Sequence, residues 1–91
     1  MKKRSEYVSE AMRELNPGAL MAEGFEDAII GWVANTQHPT VFVYDLQKCV
    51  LILMERDGTS EYEAREFLDF NTLAAYVGPD GPLFVEIPDA G

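Results

Sequence analysis

At 91 residues the chain is read as one unit, because dividing it would leave neither part enough apolar surface for a core. Hydrophobic residues make up 47% and charged residues 25%, which excludes a disordered chain, and no apolar run approaches the ~20 residues of a membrane-spanning helix. The net charge is −9, and it is uneven: Lys2, Lys3, Arg4 and Arg13 lead the chain, leaving Lys48, Arg56 and Arg65 against fourteen acids from residue 14 onward, a net of −11. Such a surface repels phosphates, so direct nucleic-acid binding by the acidic body is not expected; a basic protein partner suits it, and solubility is its simplest use. The lone cysteine, Cys49, excludes an internal disulfide. With no signal-peptide pattern in the leading residues, a cytoplasmic location is expected.

The spacing of Val8, Ala11, Met12 and Leu15 predicts an amphipathic helix over 5–15, capped by Ser5 and ended by Asn16-Pro17-Gly18. Residues 1–18 thus read as a basic arm and short helix, and 19–91 as a single compact α+β domain. Two β-branched and aromatic runs, 28–34 and 40–44, flank the polar turn Asn35-Thr36-Gln37-His38-Pro39 and predict an antiparallel hairpin. Both runs are apolar on both faces, as in strands covered on two sides. Gly31 interrupts the first run where a large neighbour would approach, and Trp32 is the expected neighbour.

Asp45 is placed to cap a helix over 46–56 that ends at Asp57-Gly58. Leu46, Cys49, Val50, Leu53 and Met54 form its core stripe. Leu51 and Ile52 lie outside that stripe and need cover, from the next helix or from a second copy of the chain. Ser60 and Glu63 fit a capping box that opens a third helix running to about residue 76. Its apolar face is expected to gather Ala64, Phe67, Leu68, Ala74 and Ala75, with Asn71 in the middle. A buried amide must be paired, and the turn before the last strand is the expected partner. The run 83–87 alternates, with Leu83, Val85 and Ile87 on one side, and 88–91 reads as a tail. The expected fold is α+β: a three-stranded antiparallel sheet, hairpin plus C-terminal strand, packed on two consecutive helices with a short N-terminal helix.

His38 and Cys49 would supply a base and a thiol for nucleophilic catalysis, but Cys49 falls on the inward stripe, where a thiol acts as a small hydrophobe. Glu23, Glu26, Asp27 and Asp45 fall at one end of the hairpin and would form an acid and base pair or hold a divalent ion; capping and turn formation explain them more simply. Asp57-Gly58-Thr59-Ser60-Glu61 lacks the alternating acids of a calcium loop. Phosphate-loop, dinucleotide and hydrolase signatures are absent from the sequence, so neither an enzyme nor a cofactor or metal is expected. The candidate interface residues are Trp32, Leu51, Ile52, Glu26, Asp27, Asp45 and Asn71.

The ordered set Gly24-Phe25-Glu26-Asp27-Ala28-Ile29-Ile30-Gly31, Tyr44-Asp45 with Lys48-Cys49, Arg56-Asp57-Gly58, Glu63-Ala64, Phe70-Asn71 and Ala75-Tyr76-Val77-Gly78 resembles a family of small uncharacterised proteins of tailed bacteriophages and prophages. The resemblance runs from Leu20 to Phe84 and implies an origin, with host-cell cytoplasm as location, but no chemistry. The expected function is that of a small acidic, non-enzymatic binding protein, a phage-encoded modulator of a host protein. The alternatives are a homo-oligomeric assembly protein and a small enzyme or ion-binding regulator built on the carboxylates.

Overall fold

The computed structural model describes residues 1–34, 37–73 and 77–88. Helix α1 spans Arg4–Leu15, beginning slightly earlier than Ser5 because Glu6 supplies the cap: its carboxylate accepts the Lys3 N–H at 3.3 Å. Val8 and Met12 enter the main core, and Leu15 is exposed. The helix stops at Asn16, whose N–H bonds Met12 O at 2.9 Å. The Asn16 side chain then joins distant segments, with Nδ2 donating to Thr40 O at 2.8 Å and to Asp80 Oδ1 at 2.9 Å while Oδ1 accepts from Gly18 N at 3.1 Å.

A single 3₁₀ turn, Glu26–Ala28, leads into β1, Ile29–Trp32, which pairs antiparallel with β2, Phe42–Asp45. The pairing passes from Ile29 and Tyr44 to Gly31 and Val43, so Ile30 is the extra residue of a bulge. Gly31 therefore serves the bulge and not a close approach: a Cβ there would meet open space, and Trp32 lies opposite Phe42, 40% exposed.

Strand β3, Leu83–Val85, lies beside β2 in the order β1, β2, β3, but it runs parallel to β2, so the sheet is mixed and not the expected antiparallel one. The reason is visible at Asn16, whose one amide group reaches Thr40 just before β2 and Asp80 just before β3. Both strands start at the same end of the sheet. The connection between them carries two helices, long enough for the crossover that parallel pairing requires. The inward residue of β3 is Phe84, stacked on Tyr44 with centroids 5.2 Å apart, while Leu83, Val85 and Ile87 are exposed. Tyr44 is fully buried at the centre of the sheet, and its hydroxyl accepts the Ala22 N–H at 2.8 Å.

Helix α2, Leu46–Asp57, is capped as expected, Asp45 Oδ1 accepting from Gln47 N at 3.0 Å and Lys48 N at 3.3 Å. Gly58 closes it in the left-handed conformation, φ 67°, with its N–H on Met54 O. Leu46, Cys49, Val50 and Leu53 are buried, Met54 packs at the margin, and Ile52 is partly buried against the same core. Leu51 remains 52% exposed. Helix α3, Glu61–Leu68, opens with the Ser60 and Glu63 capping box and packs on α2. It buries Ala64 and Leu68, whereas Phe67 is exposed.

The α-helical path ends at Leu68, giving way to a π-helical turn, Asp69–Leu73. The wider turn changes the face on which each later side chain falls. Asn71 is exposed as a result, and its Nδ2 donates back to Phe67 O at 3.0 Å instead of to the turn before β3. The expected helix end at Ala74, Ala75 and Tyr76, the turn residues Asn35 and Thr36, and most of the 88–91 tail lie outside the described residues. Among the described residues no helix is long and apolar enough to cross a membrane.

Replacing Asn16 tests the tie between the strand starts. Asn16→Ala strands a half-buried carbonyl and carboxylate and is expected to cost about 1–3 kcal/mol in urea denaturation. Asn16→Asp sets a second carboxylate against Asp80 and should lose more at neutral pH than in mild acid. Unchanged midpoints in both variants would contradict the role given to this side chain.

Candidate functional site

The residues singled out by sequence do not meet in one place. Glu26 Oε1 accepts the Gly24 N–H at 3.1 Å, Asp27 pairs with Lys3 Nζ at 3.6 Å, and Asp45 caps α2. Among the described residues no three His, Cys, Asp or Glu side chains are grouped to hold a metal ion. His38 is exposed and hydrogen-bonded through Nδ1 to Pro39 O at 2.7 Å, whereas Cys49 is fully buried on α2. Trp32, Leu51 and Asn71 reach solvent from three different elements, and Ile52 is half-buried.

One concave feature among the described residues is a groove of about 750 Å³ with mainly apolar walls. The first wall is Leu20, Met21 and Ala22. This stretch follows the break at Pro17 and is held by its backbone, with Leu20 N–H on Asp80 O at 3.0 Å and Ala22 N–H on the Tyr44 hydroxyl. With the amides so fixed, the Leu20 and Met21 side chains are left exposed. The second wall is the π-helical turn, which contributes Asn71, Thr72 and Leu73.

The segment Val77 to Phe84 supplies the third wall and leads into β3. It turns tightly at Gly78, φ 98°, where the Gly81 N–H bonds Gly78 O at 3.2 Å. Glycine suits position 81, since a Cβ there would lie 2.7 Å from Val77 Cγ2 and 3.2 Å from the Gly78 carbonyl and would force Val77 to shift. His38 and Pro39 complete the rim. Consecutive residues Leu83 and Phe84 line the groove and β2 does not contribute, so it opens along the outer side of β3. A mainly apolar concavity with a few convergent polar groups is the usual form of a binding site.

Of the lining residues, Asn71 stood among the candidate interface residues and His38 was weighed as a catalytic base. Ala19-Leu20-Met21-Ala22 is a short apolar run between two predicted elements, and that unassigned hydrophobicity was the available signal. A smaller polar recess lies between α3 and the end of β3, where the Arg65 guanidinium donates to Glu86 Oε1 at 3.0 Å and Gln47 Oε1 at 2.8 Å.

The two strongly perturbed groups are structural. Burial pushes the Cys49 thiol up to about 12, helped by the Asp45 charge. Burial likewise pushes the Tyr44 phenol up to about 12, opposed by the Ala22 hydrogen bond and reinforced by the charge of Glu26. Comparison with protein-family models, with curated proteins and with solved structures finds no match to this chain.

Both groups are acids that the folded state holds neutral, so the unfolded chain releases their protons first. Their stabilising contribution is complete below the ordinary Cys value of 9.0 and is lost as pH rises toward about 12. Urea midpoints should therefore fall across that alkaline window, and more gently in Cys49→Val. A decline of the same slope in that variant would show that the thiol is not a source of it.

Proposed function

We propose that this chain is a small binding protein that acts by surface complementarity to another protein. The observation that carries this reading is the apolar groove beside β3, whose walls leave Leu20, Met21, Leu73, Val77 and Leu83 exposed. Exposed apolar groups gathered around a concavity are characteristic of interaction sites and not of solvated surface. A non-enzymatic role is supported by the separate engagement of Glu26, Asp27 and Asp45 and by a buried thiol held in its unreactive protonated form.

The resemblance to small phage and prophage proteins completes the proposal: the partner is a protein of the host, met in the host cytoplasm. A second reading, self-assembly, rests on Leu51 and Trp32, 52% and 40% exposed, while Ile52 packs against the core. Two half-exposed side chains on different elements offer far less than the roughly 800 Å² per partner of a stable interface.

A fluorescent apolar dye titrated onto the protein tests the groove. Saturable binding is expected, lost in the double variant Val77→Gln and Leu83→Gln with the circular dichroism spectrum unchanged. Light scattering on the same samples is expected to give a monomer. Dye binding that survives both substitutions would overturn the assignment of this groove, and a dimer dissociated by Leu51→Glu would move the function to assembly.

A further inference from the structure

The groove lies along an unpaired sheet edge. β3 is the last strand in the order β1, β2, β3, and its inner side already pairs with β2, so its outward N–H and C=O groups face the groove that Leu83 and Phe84 line. Among the described residues no hydrogen bond reaches that outer edge. The two edges of the sheet differ. β1 is interrupted by the bulge at Ile30 and has α1 packed on it, whereas β3 pairs in continuous register and holds only Leu83, Phe84 and Val85, with no charge, proline or bulge to discourage a further strand. The lining is also uncharged: among the described residues it includes no aspartate, glutamate, lysine or arginine, and His38 at the rim is its one titratable side chain.

We propose that the groove takes an uncharged, extended segment of a partner protein, added as a fourth strand on β3 with apolar side chains between Leu20, Val77 and Leu83. This rests on the groove reading above and adds the conformation and chemistry of the occupant. A strand fits better than a helix, because a helix uses its own backbone groups internally and would leave those of β3 unpaired. It also fits better than a second copy of β3, because β3 forms one side of a concavity and a two-fold contact there would set hollow against hollow. Three residues of strand extend about 10 Å, so the backbone pairing is brief and the apolar walls supply most of the affinity. A charged side chain buried among these walls would find no counter-charge, which restricts the residues facing them to apolar or hydroxyl types.

The test titrates the full chain with a short, capped and labelled peptide alternating valine with threonine, read by fluorescence anisotropy. Two analogues carry N-methyl groups on alternate amides, one set on each edge of the peptide, and keep every side chain. Saturable binding of the parent peptide is expected, changing less than about twofold as salt rises. At least one analogue is expected to bind at least about tenfold more weakly, because methylation removes the donors that a strand offers to β3. Val77→Gln with Leu83→Gln should abolish binding of the parent. Amide hydrogen exchange on adding the peptide should slow at β3 and not at β1.

Two analogues that both bind as tightly as the parent would overturn the inference and leave the groove as a site recognised through side chains alone. A parent peptide that fails to bind while the apolar dye still does would overturn it as well, as would binding indifferent to Val77→Gln with Leu83→Gln or protection that appears at β1. A dimer dissociated by Leu83→Gln would make the occupant a second copy and overturn it too. Failure of the unaltered protein to bind the dye is the separate result that would remove the groove reading itself.

Discussion

One side-chain amide ties together the points from which the last two strands of the sheet start. Asn16 Nδ2 bonds the carbonyl of Thr40 and the carboxylate of Asp80, so the residues leading into β2 and β3 are gathered at one point. Strands that start together run parallel, and the connecting helices must then cross over. The Leu20 amide on the Asp80 carbonyl adds a second tie at the same place. Tyr44 extends the arrangement inward, burying its ring against Phe84 and satisfying its hydroxyl with the Ala22 N–H. A buried phenol without that partner would carry a desolvation cost, so the path of residues 20–22 and the packing of the sheet are mutually required. Two walls of the groove follow from these contacts.

Elements governed by neighbouring residues were legible in the sequence. The Asp45 cap, the Ser60 and Glu63 capping box, the Gly58 stop and the break after Asn16 depend on a few adjacent positions, and each is where local chemistry places it. The inward stripe of α2 was equally readable from its spacing. The direction of β3 was not, because it depends on a contact between residues 16 and 80 that no local pattern encodes. Its inward face was not assigned for a related reason: the alternation places Leu83, Val85 and Ile87 on one side without saying which side is buried, and ring stacking on Tyr44 selects Phe84.

The π-helical turn explains the remaining differences. A regular helix continued past Leu68 would have kept Asn71 on the apolar face, and the wider turn takes it to solvent. It also leaves Phe70 76% exposed, beside residues that wall the groove. Departures from regular helix often occur at functional positions, and here the departure, the tight turn at Gly81 and the anchored stretch 20–22 converge on one concavity. The candidate site is thus assembled from the least regular segments of the chain, which is why patterns of regular structure did not reveal it.

The most direct measurement is a nuclear Overhauser spectrum of the labelled protein, read for contacts among β2, β3 and residues 16–22. The account predicts contacts from the Asn16 side-chain amide to Thr40, from the Tyr44 ring to Phe84 and to the Ala22 amide, and the parallel pattern between Val43 and Leu83. Strong α-proton to α-proton contacts between β2 and β3, the mark of antiparallel pairing, would contradict it and dissolve the groove.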